Sequence, residues 1–462
     1  MLTYNIPDKL ELPLYLYIYE CIKNDIRKGN IKANEKLPSK RNLAKQLEVS
    51  LITIENAYSQ LLIEGYITAI EKKGYFVNEV EIIKSPNRKT AVKDAKDLNE
   101  DEYLVNFTGS ATSTNNFPFS TWSKLSRKVL SEDKDKILKA PGFKGSIELR
   151  KAIARHLKDF FTMDVSYHQI IIGSGSEYLY SQLVQLFDDK TKYALEDPGH
   201  KSISRVYRAN NCKYAYIPMD DEGINIKELI NSKANVVHVS SSHQYPTGIS
   251  MPIKRRYELI KWAKENDGII IEDDYDSEFR LKGKPISPIH DLDEEHTIYM
   301  NTFSITLSSS FRIAYMVLPE KLLQMYEEKL GFYRCTVPVF DQLVLSRFIS
   351  ENHFERHISR MRKKYRETRD YFVSELKNSD YHIKIKEADS GLHFLIQYDY
   401  KVSDKRCIEI AEKLKIKIHP LSYFLNNSTD THTLILRYMA IEDKKMALYK
   451  LKELFEQLSK GE

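Results

Sequence analysis

The 462-residue sequence has only four cysteines, Cys21, Cys212, Cys335 and Cys407, and they are far apart. No CxxC pair and no Cys/His ligand spacing occurs, which argues against a disulfide framework or a metal site and fits reduced thiols in a cytosolic chain. There is no run of about 18 apolar residues, so no membrane span is expected. The opening "MLTYNIPDKLELP" carries two acidic groups and no apolar core, which argues against a secretory signal. Internal repeats and low-complexity tracts are missing. So is a strong excess of charge: the net +5 permits a nucleic-acid partner without requiring one. One local absence matters more than these. In a chain rich in lysine, no lysine lies between residues 285 and 320.

What is present is too long for one core and implies two or three domains. Residues 1–78 read as a small helical module. Residues 79–103 are polar, charged and weakly periodic, as a linker would be, with room for some helix. From 104 to 462 helical patterns alternate with short apolar runs, "QIIIG" (169–173), "NVVHVSS" (235–241), "GIIIEDD" (268–274) and "HTIYMNTFS" (296–304). Such near-continuous Val/Ile runs are those of buried parallel strands, so the large domain is expected to be α/β. The last part, about 345–462, mixes amphipathic helices over 353–377 and 441–459 with "SGLHFLIQY" and "THTLILRYM" strands, a smaller α+β subdomain.

In the first module, Leu14, Ile18, Cys21/Ile22 and Ile26 share one helical face. Ser39 is placed to cap a helix from Lys40 to Leu47, and Ser50 to cap a second carrying Ile54, Ala57, Tyr58 and Leu61. The small Ala44, the turn at Glu48 and Ile54 suit two closely crossing helices, a helix-turn-helix. If Glu48 adopts positive φ there, it costs about 1 kcal/mol. "YITAIEKKGYFV" reads as two strands and a basic turn, a wing. Residues 23–45 hold eight cations against two acidic groups, a net +6. Phosphate contacts would come from this region and from Lys72 and Lys73, and base contacts from Thr53 and Asn56, with Gln60 at the far end. A three-helix protein-binding module with solvated lysines is the competing reading.

The stretch "LPSKRNLAKQLEVSLITIENAYSQLLIEGYI...KKGYFV" resembles the winged helix of the GntR family, whose motif is LPS-x-R-x-LA-x-x-L-x-VSR-x-TV-x-x-AY-x-x-L-x-x-EG with a glycine wing. The resemblance implies binding of a double-stranded DNA operator through Ser39, Arg41, Ser50, Thr53 and Gly74. The family usually has Arg after Val-Ser, whereas this chain has Leu51.

In the large domain, "IIIGSGSEYLYSQLV" is a strand, a Gly/Ser turn and a helix start, where backbone N–H groups and the Ser174 and Ser176 hydroxyls suit a phosphate. It reads equally well as an ordinary turn. "IIIEDDYDSEF" sets carboxylates just past a buried strand, where α/β ligand sites form, or makes a solvated acidic loop. "TFSITLSSSFRIAY" offers Thr302, Ser304 and Arg312, groups suited to a phosphate dianion.

Together "EDPGHKS", "SSHQYPTG", "EDDYDSEFR" and "NTFSITLSSSFRIAY" resemble the fold-type I aminotransferases, and more closely the MocR-type regulators, in which a GntR winged helix is fused to an aminotransferase-like domain that binds pyridoxal phosphate (PLP). The resemblance implies that Asp273 meets the pyridinium nitrogen and Tyr275 the ring hydroxyl. It also implies that His200 stacks on the ring and that Gly175, Ser176, Thr302, Ser304 and Arg312 hold the phosphate. Arg437 would meet the carboxylate of an amino-acid ligand. Taken alone, Arg437 reads equally well as a surface residue.

The family motif TFSKT is here TFSIT, so Ile305 stands where the lysine that carries the cofactor would be. Isoleucine offers no nucleophile, and loss of a positioned base costs about 100–10,000-fold. The expected protein is a cytoplasmic bacterial regulator, homodimeric and head to tail, with no catalytic residue. Its pocket would sense PLP held non-covalently, a PLP–amino acid adduct or another metabolite. Ligand binding would reshape the large domain and reorient the two winged helices. Two alternatives are a pocket kept only as a dimerisation scaffold and an active aminotransferase tethered to DNA.

Overall fold

A computed structural model describes residues 4, 6, 7, 12–79, 103–109, 114–283, 285–389, 391–427 and 429–460. The chain divides into two compact units, Met1–Asp97 and Leu98–Glu462. Most of the expected linker, 80–102, lies outside the described residues.

The first unit has three helices, α1 (Leu14–Lys28), α2 (Lys40–Gln46) and α3 (Leu51–Ile63), followed by an antiparallel pair, β1 (Ile67–Ile70) and β2 (Gly74–Val77). Ser39 Oγ accepts from Asn42 N at 3.2 Å and Ser50 Oγ from Thr53 N at 3.2 Å, so both helices start where their caps are written. Ile18, Ile22, Leu43, Ile54, Ala57, Tyr58 and Leu61 close one apolar core. Ala44 O accepts from Val49 N across the α2–α3 turn at 3.0 Å, and Glu48 takes φ 54° in it.

The second unit opens with β3 (Val105–Asn106). The large sheet is built from β4 (Ile170–Gly173), β5 (Lys192–Asp197), β6 (Lys213–Asp220), β7 (Gly223–Ile224), β8 (Val236–Val239), β9 (Ile269–Asp273), β10 (Thr297–Thr302) and β11 (Ala314–Val317). Their spatial order is β4-β11-β10-β9-β8-β5-β6-β7. β10, β9, β8, β5 and β6 run parallel, as expected for the buried apolar runs of β8, β9 and β10. β11 is antiparallel to both β10 and β4, and β7 to β6, so the sheet is mixed and not purely parallel. The reason at β11 is length. Only residues 303–313 join it to β10, too few for the crossover that parallel strands need.

A second sheet is formed by β12 (Ile383–Lys386), β13 (His393–Tyr398), β15 (His419–Pro420) and β16 (Thr433–Arg437), in the order β12-β13-β16-β15. β14 (Ile416–Lys417) pairs in parallel with β3, so the chain just after the linker belongs to this C-terminal layer as well as residues beyond 345. The helix expected at 353–377 spans His353–Lys377. The one expected at 441–459 starts later, Lys444–Ser459, because Asp443 caps it by accepting from Lys445 N and Met446 N.

Glu48→Gly removes the cost of a left-handed residue at the α2–α3 turn. Urea unfolding of the full-length chain, monitored for the first unit, should show that unit stabilised by about 1 kcal/mol.

Candidate functional site

The carboxyl ends of β4, β5, β9 and β10 and the amino end of the antiparallel β11 lie along one edge of the large sheet, where open α/β sheets place ligands. A cavity of about 330 Å³ opens there, within the range of small-molecule sites. Ser176, His200, Asp273, Tyr275, Thr302, Ser304, Ile305, Arg312 and Arg437, widely separated in sequence, all line it. Gly175 stands behind this wall. At φ 94° it lets the Arg312 guanidinium approach so closely that a Cβ would sit 2.5 Å from Nη2.

Asp273 ends β9 and is buried. Its Oδ2 accepts a hydrogen bond from Tyr180, and His238 Nε2 lies 3.7 Å from it. Oδ1 is buried with no partner. Burial, together with the Asp273 carboxylate beside it, raises the Tyr180 phenol well above its ordinary pKa, so Tyr180 stays a donor. A free, buried acceptor oxygen at the floor of a cavity is a site for an N–H group. Ser304 presents a second orphan, a buried Oγ without a partner, while its N–H donates to Thr302 Oγ1 at 3.1 Å. Tyr275 donates to His243 O at 3.1 Å, so its hydroxyl already has an acceptor. His200 caps the helix Lys201–Ala209, with Nδ1 accepting from Ser202 N at 3.3 Å. That bond requires the neutral ring to carry its proton on Nε2. Its ring lies 5.5 Å from that of Tyr245.

Two arginines supply positive charge. Arg437, the last residue of β16, sits over the Tyr245 ring at 5.4 Å and has no acidic partner among the described residues. Arg312 is different. Its Nη2 donates to Glu177 Oε2 at 2.6 Å. Burial alone would raise the Glu177 pKa, but the Arg312 contact outweighs it and holds the carboxyl below its ordinary range. The guanidinium expected to hold a phosphate is therefore already paired.

Ile305 packs its side chain partly against the core and partly along the cavity, and no lysine is among the described residues lining it. Glu177 and Tyr180 did not stand out in the sequence. The signal for Tyr180 was its spacing: it lies four residues after Ser176 on the same helix and so on the same face. For Glu177 no sequence signal announced the Arg312 pairing.

In the first unit, Arg41, Lys45, Lys72 and Lys73 are exposed and make no ion pair with a described residue. Gly74 takes φ 111° at the wing turn. Thr53 shares its hydroxyl with Ser50, the two oxygens being 2.8 Å apart, and Asn56 is exposed. Gln60 is spent on its own helix, donating to Glu64 Oε1 at 2.7 Å, and is thus not the free base reader expected of it.

The folds and this cavity define a winged helix joined in one chain to an aminotransferase-type domain. Comparison with known proteins agrees. Residues 14–77 match the bacterial regulatory proteins of the gntR family, and residues 109–432 match aminotransferase class I and II. The chain is 35% identical over 440 residues to the uncharacterized HTH-type transcriptional regulator YdeL of Bacillus subtilis, covering 94% of each chain. It is 26% identical over 454 residues to the probable rhizopine catabolism regulatory protein MocR of Rhizobium meliloti, covering 94% of this chain and 92% of that one. Among solved structures, a multiple substrate aminotransferase from Thermococcus profundus superposes with a TM-score of 0.69 at 23% identity, over 78% of this chain and 92% of that one. The protein belongs to the family of GntR-type helix-turn-helix transcriptional regulators that carry an aminotransferase class I and II domain.

Gly175→Ala drives a Cβ into the Arg312 guanidinium and strains a left-handed backbone. Urea unfolding monitored for the second unit should show it destabilised by about 1 kcal/mol or more.

Proposed function

We propose that this regulator binds double-stranded DNA through its winged helix and senses a small molecule held non-covalently at the carboxyl edge of the large sheet, without catalysing a reaction. The observation that carries this reading is the mismatch within the cavity wall. Asp273 Oδ1 and Ser304 Oγ are buried and unsatisfied, and Arg437 makes no ion pair with a described residue, while the wall position between Ser304 and Ser309 is the inert Ile305.

These residues fit PLP or an adduct of it with an amino acid. Asp273 would accept from a protonated ring nitrogen. Ser304, Thr302 and Ser176, with Arg312, would hold the phosphate. Arg437 would take a carboxylate, and His200 would cover one ring face. When bound, such a cofactor supplies an electron sink to an attached amino group. With isoleucine at 305, no lysine of the wall is there to hold the cofactor covalently or to move the proton. The rival reading, an active aminotransferase tethered to DNA, needs that amine.

The chain is proposed to work in the cytoplasm as a head-to-tail homodimer, so that two winged helices meet two half-sites. Among the described residues no helix is long and apolar enough to cross a membrane.

Incubation with PLP followed by borohydride should leave no covalent label on the protein, and calorimetry should still detect binding. Operator affinity, measured with and without PLP, PLP plus amino acids, or free amino acids, should change about 5- to 150-fold for one of them. If footprint and affinity are the same with every one of these ligands, the sensing reading is wrong. A borohydride-stable label would restore the enzyme.

Glu177→Gln removes the negative charge that competes for Arg312 and leaves only a neutral amide oxygen as acceptor. PLP affinity should rise, by about tenfold, and inorganic phosphate should become a better competitor of PLP.

A further inference from the structure

The helix α3 carries no lysine and no arginine, and Glu55 is its only charged residue. The exposed cations lie on the elements before and after it in the chain, on α2 at Arg41 and Lys45 and in the wing at Lys72 and Lys73. What α3 offers outward in its first turn is aliphatic: Leu51 is 38% exposed and Ile52 67%. The polar groups of that turn are engaged with each other, since Ser50 Oγ accepts from Thr53 N and the two hydroxyl oxygens lie 2.8 Å apart. One helical turn beyond Ile52, Asn56 is exposed, and its side chain makes no hydrogen bond with a described residue.

The N-terminal turn of a recognition helix is the part that reaches base edges in the major groove. Guanine is read there by Arg or Lys, adenine by Asn or Gln, and the thymine C5-methyl by apolar contact. α3 lacks the first kind of reader and has the other two side by side. We propose that Leu51 and Ile52 read thymine methyl groups and that Asn56 reads adenine, so that each half-site is built on adjacent A·T pairs selected by their methyls. Two exposed aliphatic side chains, in a unit whose α2 and wing carry exposed cations without ion pairs to described residues, suit a polyanion with apolar spots in its groove, and not an apolar protein surface. The proposal rests on the DNA-binding reading above.

The test uses full-length protein and a random-sequence duplex pool. The selected duplex is then remade with deoxyuridine for deoxythymidine, which removes only the methyl. The half-site should carry adjacent thymines. Each replacement within it should weaken binding about fourfold, the worth of one buried methyl-sized group. The double variant Leu51→Ala/Ile52→Ala alters only exposed side chains. It should bind the two duplexes equally with unchanged thermal unfolding, and Asn56→Ala should relax the choice of adenine. Selection of a half-site whose binding by the unmodified protein is indifferent to the methyl overturns the proposal and leaves DNA binding standing. Selection of no sequence overturns both.

Discussion

The short return from β10 to β11 is the constraint on which the cavity depends. Residues 303–313 cannot make a crossover, so β11 runs antiparallel and brings its amino end to the edge where the parallel strands finish. Ser304 and Ile305 lie at one end of this connection and Arg312 at the other, at φ 50°. Three wall residues of different chemistry are thereby held by one tight segment, whose Phe303 N bonds Ile313 O at 2.9 Å. The position is fixed by the backbone, and the residue types decide what the site does with it. The isoleucine in that segment adds an apolar, non-nucleophilic side chain to the cavity wall.

The cavity is also nearly self-neutralising. Asp273 and Glu177 face Arg312 and Arg437, but only the Glu177–Arg312 pair is in contact. The buried Asp273 Oδ1 has no hydrogen-bond partner and Arg437 no acidic partner among the described residues, whereas Arg312 is already held by Glu177.

Much of this was legible in the sequence because the local rules agreed with the tertiary structure. Ser39 and Ser50 announce their helices, and Glu48 sits in the left-handed turn their spacing demands. β4, β8, β9 and β10 are buried on both faces and read as apolar runs. β5 and β6 do not. Lys192 and Asp197 bound the first, and the second is half exposed, with polar residues at both ends. Asp273 and Thr302 end their strands, β9 and β10, and Arg312 lies just before β11, so the apolar runs beside them mark their neighbourhood in the sequence. The pairing of Glu177 with Arg312, and of Tyr180 with Asp273, joins residues far apart in the chain, so no local pattern encodes either.

The pairing of β3 with β14 is small, yet it decides where the linker is anchored. Leu104 N bonds Lys415 O at 2.9 Å, Phe107 N bonds Lys417 O at 2.8 Å, and Phe107 O accepts from Arg437 N at 3.1 Å. The backbone that leaves the linker is thus hydrogen-bonded to the residue whose side chain faces the cavity. Arg437 thus belongs to two places at once: its backbone secures the strand that opens the second unit, and its side chain closes the cavity wall.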